Sequence, residues 1–147
     1  MWTLVLVGAT AATACVSVGG GLYEARVVDP FWPRRPGIIQ PALGGISRRR
    51  FWVPAHAGLE VLLLLSIILT WSHFNERAAL LVALASHLVT RIWSLVDVVP
   101  KAVAFEKADP AKVDEAAALR WTRRSLARLP LGLITAAATL AALAAAR

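Results

Sequence analysis

Apolar residues in this chain come in long unbroken blocks, without the alternation of a strand or the single stripe of a soluble amphipathic helix. The block from Arg48 to Trp71, RRRFWVPAHAGLEVLLLLSIILTW, opens with arginines and aromatics and closes with a tryptophan. About twenty apolar residues cross the hydrocarbon core as a helix, and basic and aromatic residues anchor its ends. The blocks predict four spans, over about 2–22, 51–72, 78–99 and 129–146. The short HFNER turn between the second and third makes these two antiparallel. Asp109-Pro110 reads as a helix N-cap followed by proline at the first helical position, so helix 4 starts near residue 110. At ~1.5 Å per residue, such a helix is longer than the ~30 Å hydrocarbon core, and its first half extends into the cytosol. The expected fold is all-α, a single integral membrane domain built as an up-down four-helix bundle.

The connection between spans 1 and 2 interrupts the apolar pattern. DPFWPRRPGIIQPALGGISRRR contains Pro30, Pro33, Pro36 and Pro41 together with Gly37, Gly44 and Gly45, which excludes a long helix. A loop of this length in so small a protein suggests a lid or binding loop. Phe31, Trp32, Ile38 and Ile39 place it across the bilayer surface, over the mouth of a pocket. Gly8, Ala11, Ala12 and Ala14 in helix 1, and Ala137, Ala141 and Ala145 in helix 4, are small-residue faces suited to close helix packing. Pro100 is expected to end or kink helix 3.

Composition agrees with the pattern: 58% of the 147 residues are hydrophobic, and mean hydropathy is +0.62. The formal charge of +7 raises nucleic acid as a partner, but the basic residues flank the apolar blocks, and that excludes it. Arg26, Arg34, Arg35, Arg48, Arg49 and Arg50 lie between spans 1 and 2. Lys101, Lys107, Lys112, Arg120, Arg123, Arg124 and Arg128 lie between spans 3 and 4, against only Arg77 and Arg147 opposite. The positive-inside rule then makes both long connections cytoplasmic and puts both termini outside, in a multi-pass protein of the inner (plasma) membrane. Trp2 and Trp71 mark the outer interface, Trp52 and Trp121 the inner one. Cys15 is the only cysteine, which excludes an internal disulfide or redox pair. No basic region precedes the first apolar block, so it reads as a retained span, not a cleaved signal.

Ionisable residues inside spans are costly and mark sites by default. Counted from the cytoplasmic ends, His56 lies about 7 Å deep and Glu60 about 13 Å, while Asp97, Arg91 and His87 lie about 3, 12 and 18 Å deep. Glu60 and Arg91 match in depth and are expected to pair, with His87 nearby. Glu24 and Asp97 answer Arg120, Arg124 or His56. The candidate catalytic residues are His56, Glu60, His87 and Arg91. Glu24, Trp93, Asp97, Trp121 and Arg124 are candidates for substrate binding.

No resident metal or cofactor is assigned. A site from His56, Glu60 and His87, with Glu24, has suitable ligand chemistry but lacks the Glu-x-x-His repeats of carboxylate-bridged bundles. A bis-histidine haem wants its ligands at one level, whereas His56 and His87 differ by ~11 Å in counted depth.

Three segments, GLYEARVVDPFW, RIWSLVDVVPKAVAFE and LRWTRRSLARLPLG, resemble the anthrone-oxygenase-like family of small four-helix membrane proteins. The resemblance implies oxygenation of an electron-rich polycyclic phenol without an evident cofactor. It places Glu24, Arg91, Trp93, Trp121 and Arg124 at matching positions. Thr122 and Arg123 stand where family members often have an asparagine.

The reading that unites these features is an oxygenase- or oxidoreductase-like enzyme for a lipophilic aromatic or quinol-type substrate entering from the bilayer. His56 or His87 would be the base, Arg91 would hold the oxyanion and Glu60 would orient them. The alternatives are a small-molecule transporter and a non-catalytic membrane scaffold or subunit. Partners are membrane lipids and a lipophilic small molecule, with a homo-oligomer left open. A pocket touching His56, Glu60 and Arg91 favours the enzyme. A water path through the outer half favours transport, and a filled core favours a scaffold.

Overall fold

The computed structural model describes residues 2–146; Arg147, one of the two basic residues assigned to the outer side, lies outside them. In lipid every backbone amide must be satisfied within the protein, so the apolar blocks fold as helices. Four are long and apolar enough to cross a membrane: Trp2–Val28, Arg49–Leu69, Phe74–Lys107 and Glu115–Ala145. They divide into α1 (Trp2–Tyr23), α2 (Arg49–Leu69), α3 (Phe74–Trp93), α4 (Val99–Lys107), α5 (Glu115–Leu126) and α6 (Leu129–Ala145). Among the described residues there is no strand.

Helices α1 and α3 each pack against both α2 and α6. Gly8 faces Leu143 and Gly21 faces Leu129, so α1 and α6 run antiparallel. Thr10 bonds Ser66 at 2.8 Å, whereas Gly20 meets Phe51, which gives α1 and α2 the same relation. At the end that carries the termini, the interior is filled by Val7, Leu63, Ile67, Leu80, Ala83 and Ala142. The hydroxyls buried there are bonded: Thr70 donates to Ser66 O at 2.8 Å and Thr139 to Ala136 O at 2.8 Å. Outward-facing Val5, Leu64, Ile68, Val82, Val89 and Ile92 are exposed. An apolar exterior around an apolar interior is the arrangement that lipid demands.

The opposite, basic end departs from the sequence expectations. Pro100 does not end the third long helix. Its bonding becomes π-helical over Ser94–Val98, then resumes as α4 with Pro100 in its first turn, where a missing amide hydrogen is tolerated. A second π stretch, Glu24–Val28, follows α1. Asp109 does cap a helix, but only the 3-10 turn Pro110–Lys112. Asp114 caps α5 by accepting from Ala116 N at 2.9 Å, so the fourth helix starts at Glu115 and breaks again before α6. In α6, Thr135, Ala136, Thr139 and Ala142 face inward, while Ala137, Ala141 and Ala145 are exposed. The hydroxyls can turn their bonds onto their own helix, so the threonines pack inside and the alanine stripe is left outside.

The proline-rich connection is ordered by its own turns. Short 3-10 turns form at Trp32–Arg34, Pro36–Ile39 and Pro41–Leu43. Trp32 and Ile39 are fully buried, in a cluster with Val28, Val98, Ala118 and Trp121. The connection therefore packs on α4 and α5 as part of a second core. Gln40 fixes it there, its Nε2 donating to Phe105 O at 2.9 Å and Ala108 O at 2.8 Å. These are carbonyls that the end of α4 leaves without helical partners.

Gly45 returns the chain so closely over this turn that a Cβ would collide with Gly37 O. Gly45→Ala should therefore destabilise the protein by about 1–3 kcal/mol, read as a lowered midpoint of thermal unfolding in detergent. Gly37→Ala, which points into open space, should change stability by no more than about 0.5 kcal/mol.

Candidate functional site

A cavity of about 570 Å³ lies within the basic half of the bundle, a size suited to a small organic ligand. One wall is a stripe of α2. Trp52, His56 and Glu60 follow Arg48 at four-residue intervals and share a helix face. The Trp52 and His56 rings stack with centroids 5.2 Å apart and planes at 21°. Glu60 Oε1 accepts from Arg91 Nε at 2.6 Å and lies 3.5 Å from His87 Nε2. The pairing expected from matched depth is present.

The depth comparison fails for the histidines. Their ring centroids are 5.6 Å apart, well under the ~11 Å counted along the helices. Counting rise locates Cα atoms from assumed membrane edges; it omits the reach of an imidazole, and α3 does not end at Val99. The level argument against two-histidine ligation therefore falls. Among the described residues, no group of three His, Cys, Asp or Glu side chains is placed to hold a metal ion, so the alternative His56, Glu60, His87 and Glu24 set does not assemble.

Glu24, His56, His87, Arg91 and Trp121 line the cavity. Glu60 stands behind Arg91 and His87. Trp93, Asp97 and Arg124 form a separate cluster away from the cavity lining: Asp97 accepts from Arg124 Nη2 at 2.9 Å, from Trp93 Nε1 at 3.4 Å and from Lys101. Arg120 pairs instead with Asp114 at 3.8 Å. Trp121, read as an interface anchor as well as a binding residue, is buried, with Nε1 donating to Val98 O at 3.0 Å.

Arg48, read only as a topology charge, is the central residue of the basic end. It is 8% exposed, with its guanidinium 4.8 Å from the Trp121 ring centroid and 5.5 Å from that of Trp32. Its Nε lies 3.9 Å from Glu24 and 3.8 Å from Glu106. Arg128 is held across the cavity by Ser94 and by Ser125, whose Oγ accepts at 2.8 Å. The four-residue register with Trp52, His56 and Glu60 is the one sequence signal that separates Arg48 from Arg49 and Arg50. Nothing in the sequence singles out Arg128.

Buried polar atoms without a hydrogen-bond partner collect here. Among the described residues they are Glu24 Oε1, Arg48 Nη1 and Nη2, His56 Nδ1 and His87 Nε2, all on cavity-lining residues, together with Gln40 Oε1. Native interiors leave few such atoms, so their concentration around one space marks a site. Val53, Leu95 and Val99 line the cavity and are also exposed on the bundle surface, so it opens sideways between α2 and the α3–α4 helix. Of the long connection, only Asp29, Arg48 and Arg49 reach the lining; the rest does not cover it.

Asp29 follows the first long helix. Burial, then the neighbouring Glu24, pushes its carboxyl up to about 6, against the pull of a hydrogen bond from Trp32 Nε1, which is 3.0 Å away.

No family model, curated protein or solved structure matches the chain.

Two outcomes follow from this geometry. A double-mutant cycle with Glu60→Ala and Arg91→Leu should give a coupling energy of about 1–3 kcal/mol; additive losses in the unfolding midpoint would show that the pair is idle. A carboxyl whose folded pKa is raised contributes fully at low pH, and its contribution is lost as pH rises through about 6. Asp29→Asn should remove that loss, flattening the stability profile between about pH 4 and 7, as measured by thermal unfolding across pH.

Proposed function

We propose that this chain is a four-span membrane enzyme that binds a lipophilic phenol or quinol-type substrate in its lateral cavity and promotes its oxygenation. The observation that carries the reading is the meeting of His56, His87 and Arg91 at the cavity, with an unpartnered Nδ1 on His56 and with His87 Nε2 facing Glu60, 3.5 Å away. The bias of basic residues supports a plasma-membrane orientation with the cavity end cytoplasmic and both termini outside. The exposed Val53, Leu95 and Val99 give an apolar ligand a route from the bilayer.

An imidazole with no partner can take a phenolic or α-carbonyl proton, and Arg91 stabilises the oxyanion that results. Glu60 holds Arg91 at 2.6 Å and lies 3.5 Å from His87, so it fixes the two relative to each other. The electron-rich carbanion then reacts with dioxygen, forming a C–O bond. The histidinium returns its proton to give a hydroperoxide, which loses water to leave a carbonyl. For a ring methylene, CH₂ and O₂ become C=O and H₂O. The sequence resemblance to anthrone oxygenases points to the same chemistry.

The transporter alternative draws less support. The termini half is filled by apolar side chains and bonded hydroxyls. A scaffold has no need of a cavity lined by unpartnered polar atoms.

Anthrone supplied to the protein in lipid nanodiscs tests the proposal. Dioxygen uptake and anthraquinone absorbance should rise with protein concentration, and at least one of His56→Ala and His87→Ala should lower the rate by about a hundredfold. No uptake above the protein-free rate, or full activity in both folded variants, would reject catalysis.

A further inference from the structure

We propose that the cavity has a second polar pole, formed by Glu24 and Arg48, that takes a neutral ligand group presenting an acceptor and a donor side by side: a primary amide, or a hydroxyl next to a carbonyl. This rests on reading the cavity as the site of a lipophilic aromatic ligand and specifies the far end of that ligand.

Arg48 is more than nine-tenths buried and lines the cavity, yet both its Nη atoms lack partners. The ring contacts with Trp32 and Trp121 use the guanidinium face, and Glu24 and Glu106 flank the Nε side. What is left is a pair of N–H donors at the rim of the fork. Glu24 Oε1, buried and also on a lining residue, lies 3.9 Å from Arg48 Nε, beyond hydrogen-bond distance, and accepts no hydrogen bond. A ligand carbonyl satisfies the first and an adjacent O–H or N–H satisfies the second.

Charge selects against an anion here. Arg48, Arg49 and Arg128 are already balanced by Glu24, Asp29 and Glu106 on the cavity lining. A carboxylate would answer the Arg48 donors but set a second negative oxygen against Glu24, and a bare carbonyl would leave Glu24 unpartnered. Only a group with both functions satisfies every open atom, and leaving buried polar atoms open is costly.

The spacing sets the ligand's shape. The Cα atoms of Arg48, at the N-cap of α2, and His56 are about 12 Å apart along the axis, a spacing that the reach of the two side chains then modifies. Trp52 stands between them, its ring already stacked on His56. A flat apolar body of two or three fused rings, with a phenol at the histidine end and the donor–acceptor group at the other, spans that length.

The test uses naphthol, hydroxynaphthamide and hydroxynaphthoate, the last two carrying their second group at the far end of the ring system. Binding is measured by fluorescence titration to the whole protein in phosphatidylcholine nanodiscs, whose lipid has no donor to fill the pole. The amide should bind about tenfold more tightly than naphthol, a difference of about 1.4 kcal/mol, and the carboxylate no more tightly than naphthol. Glu24→Gln supplies a donor in place of the carboxylate and should move the tenfold advantage to hydroxynaphthoate. Arg48→Lys keeps a charge for Glu24 and Glu106 but loses the fork, and should bring the amide-to-naphthol ratio close to one.

If naphthol binds and the amide gains nothing, or if the unaltered protein prefers the carboxylate, the second pole is overturned while the phenol site stands. If naphthol itself fails to bind, the proposed function fails and the pole with it. Should Arg48→Lys fail to fold, the Glu24→Gln reversal decides alone.

Discussion

The basic end of this molecule depends on one buried guanidinium. Arg48 lies against Trp121 and Trp32, with Glu24 and Glu106 on its Nε side. Those contacts join the end of α1, the proline-rich connection, α4 and α5 to the first turn of α2. An isolated buried charge is far too costly to keep, so the five segments must arrive together or not at all. Aromatic faces supply part of the compensation without using the N–H donors. The carboxylates, at 3.8–3.9 Å, are near enough to balance the charge but too far to satisfy the fork. The same arrangement therefore stabilises the basic end and leaves donors without partners on a residue that lines the cavity.

The two halves of the bundle differ because their side chains differ in bulk. At the termini end, Gly8, Thr10, Ser66, Ala83 and Ala142 let the helices approach closely, and the interior closes. At the basic end, Arg48, Trp52, Trp121 and Arg128 line the cavity. The π-helical stretches Glu24–Val28 and Ser94–Val98 occur in this half. Each widens a turn, and each contributes lining residues, Glu24 and Ala25 from one and Ser94, Leu95 and Val98 from the other. π stretches are frequent at functional sites because the altered register re-aims side chains that a regular helix would bury or expose.

Hydrophobic blocks made the four long helices legible in the sequence, and matched depth made Glu60 and Arg91 legible as a pair. Both readings rest on quantities that follow the chain: residue count and helical rise. Features that depend on where chains converge were hidden. Arg48 is indistinguishable from Arg49 and Arg50 as a charge, and only its four-residue register with Trp52, His56 and Glu60 hints at an inward course. Pro100 reads as an end or a kink, and the helix continues through it after a π stretch. The distance between His56 and His87 was overstated because axial counting ignores side-chain length and presumes equal starting levels. Asp97 does meet Arg124, one of the partners expected for it, and Trp93 joins the pair without having been expected to, but beside the cavity instead of within it.

Glu60 shows how a residue away from the lining can still govern the site. A single oxygen, Oε1, accepts from Arg91 and also approaches His87 Nε2, so the positions of both cavity groups are set by one carboxylate. Any ligand oxyanion that draws Arg91 toward the cavity weakens its hold on Glu60, and the freed charge then bears more strongly on the neighbouring imidazole. In the proposed reaction, proton acceptance by a histidine and oxyanion capture by Arg91 would be coupled through Glu60, which does not line the cavity. Such coupling would suit chemistry in which proton removal and charge stabilisation occur in the same step.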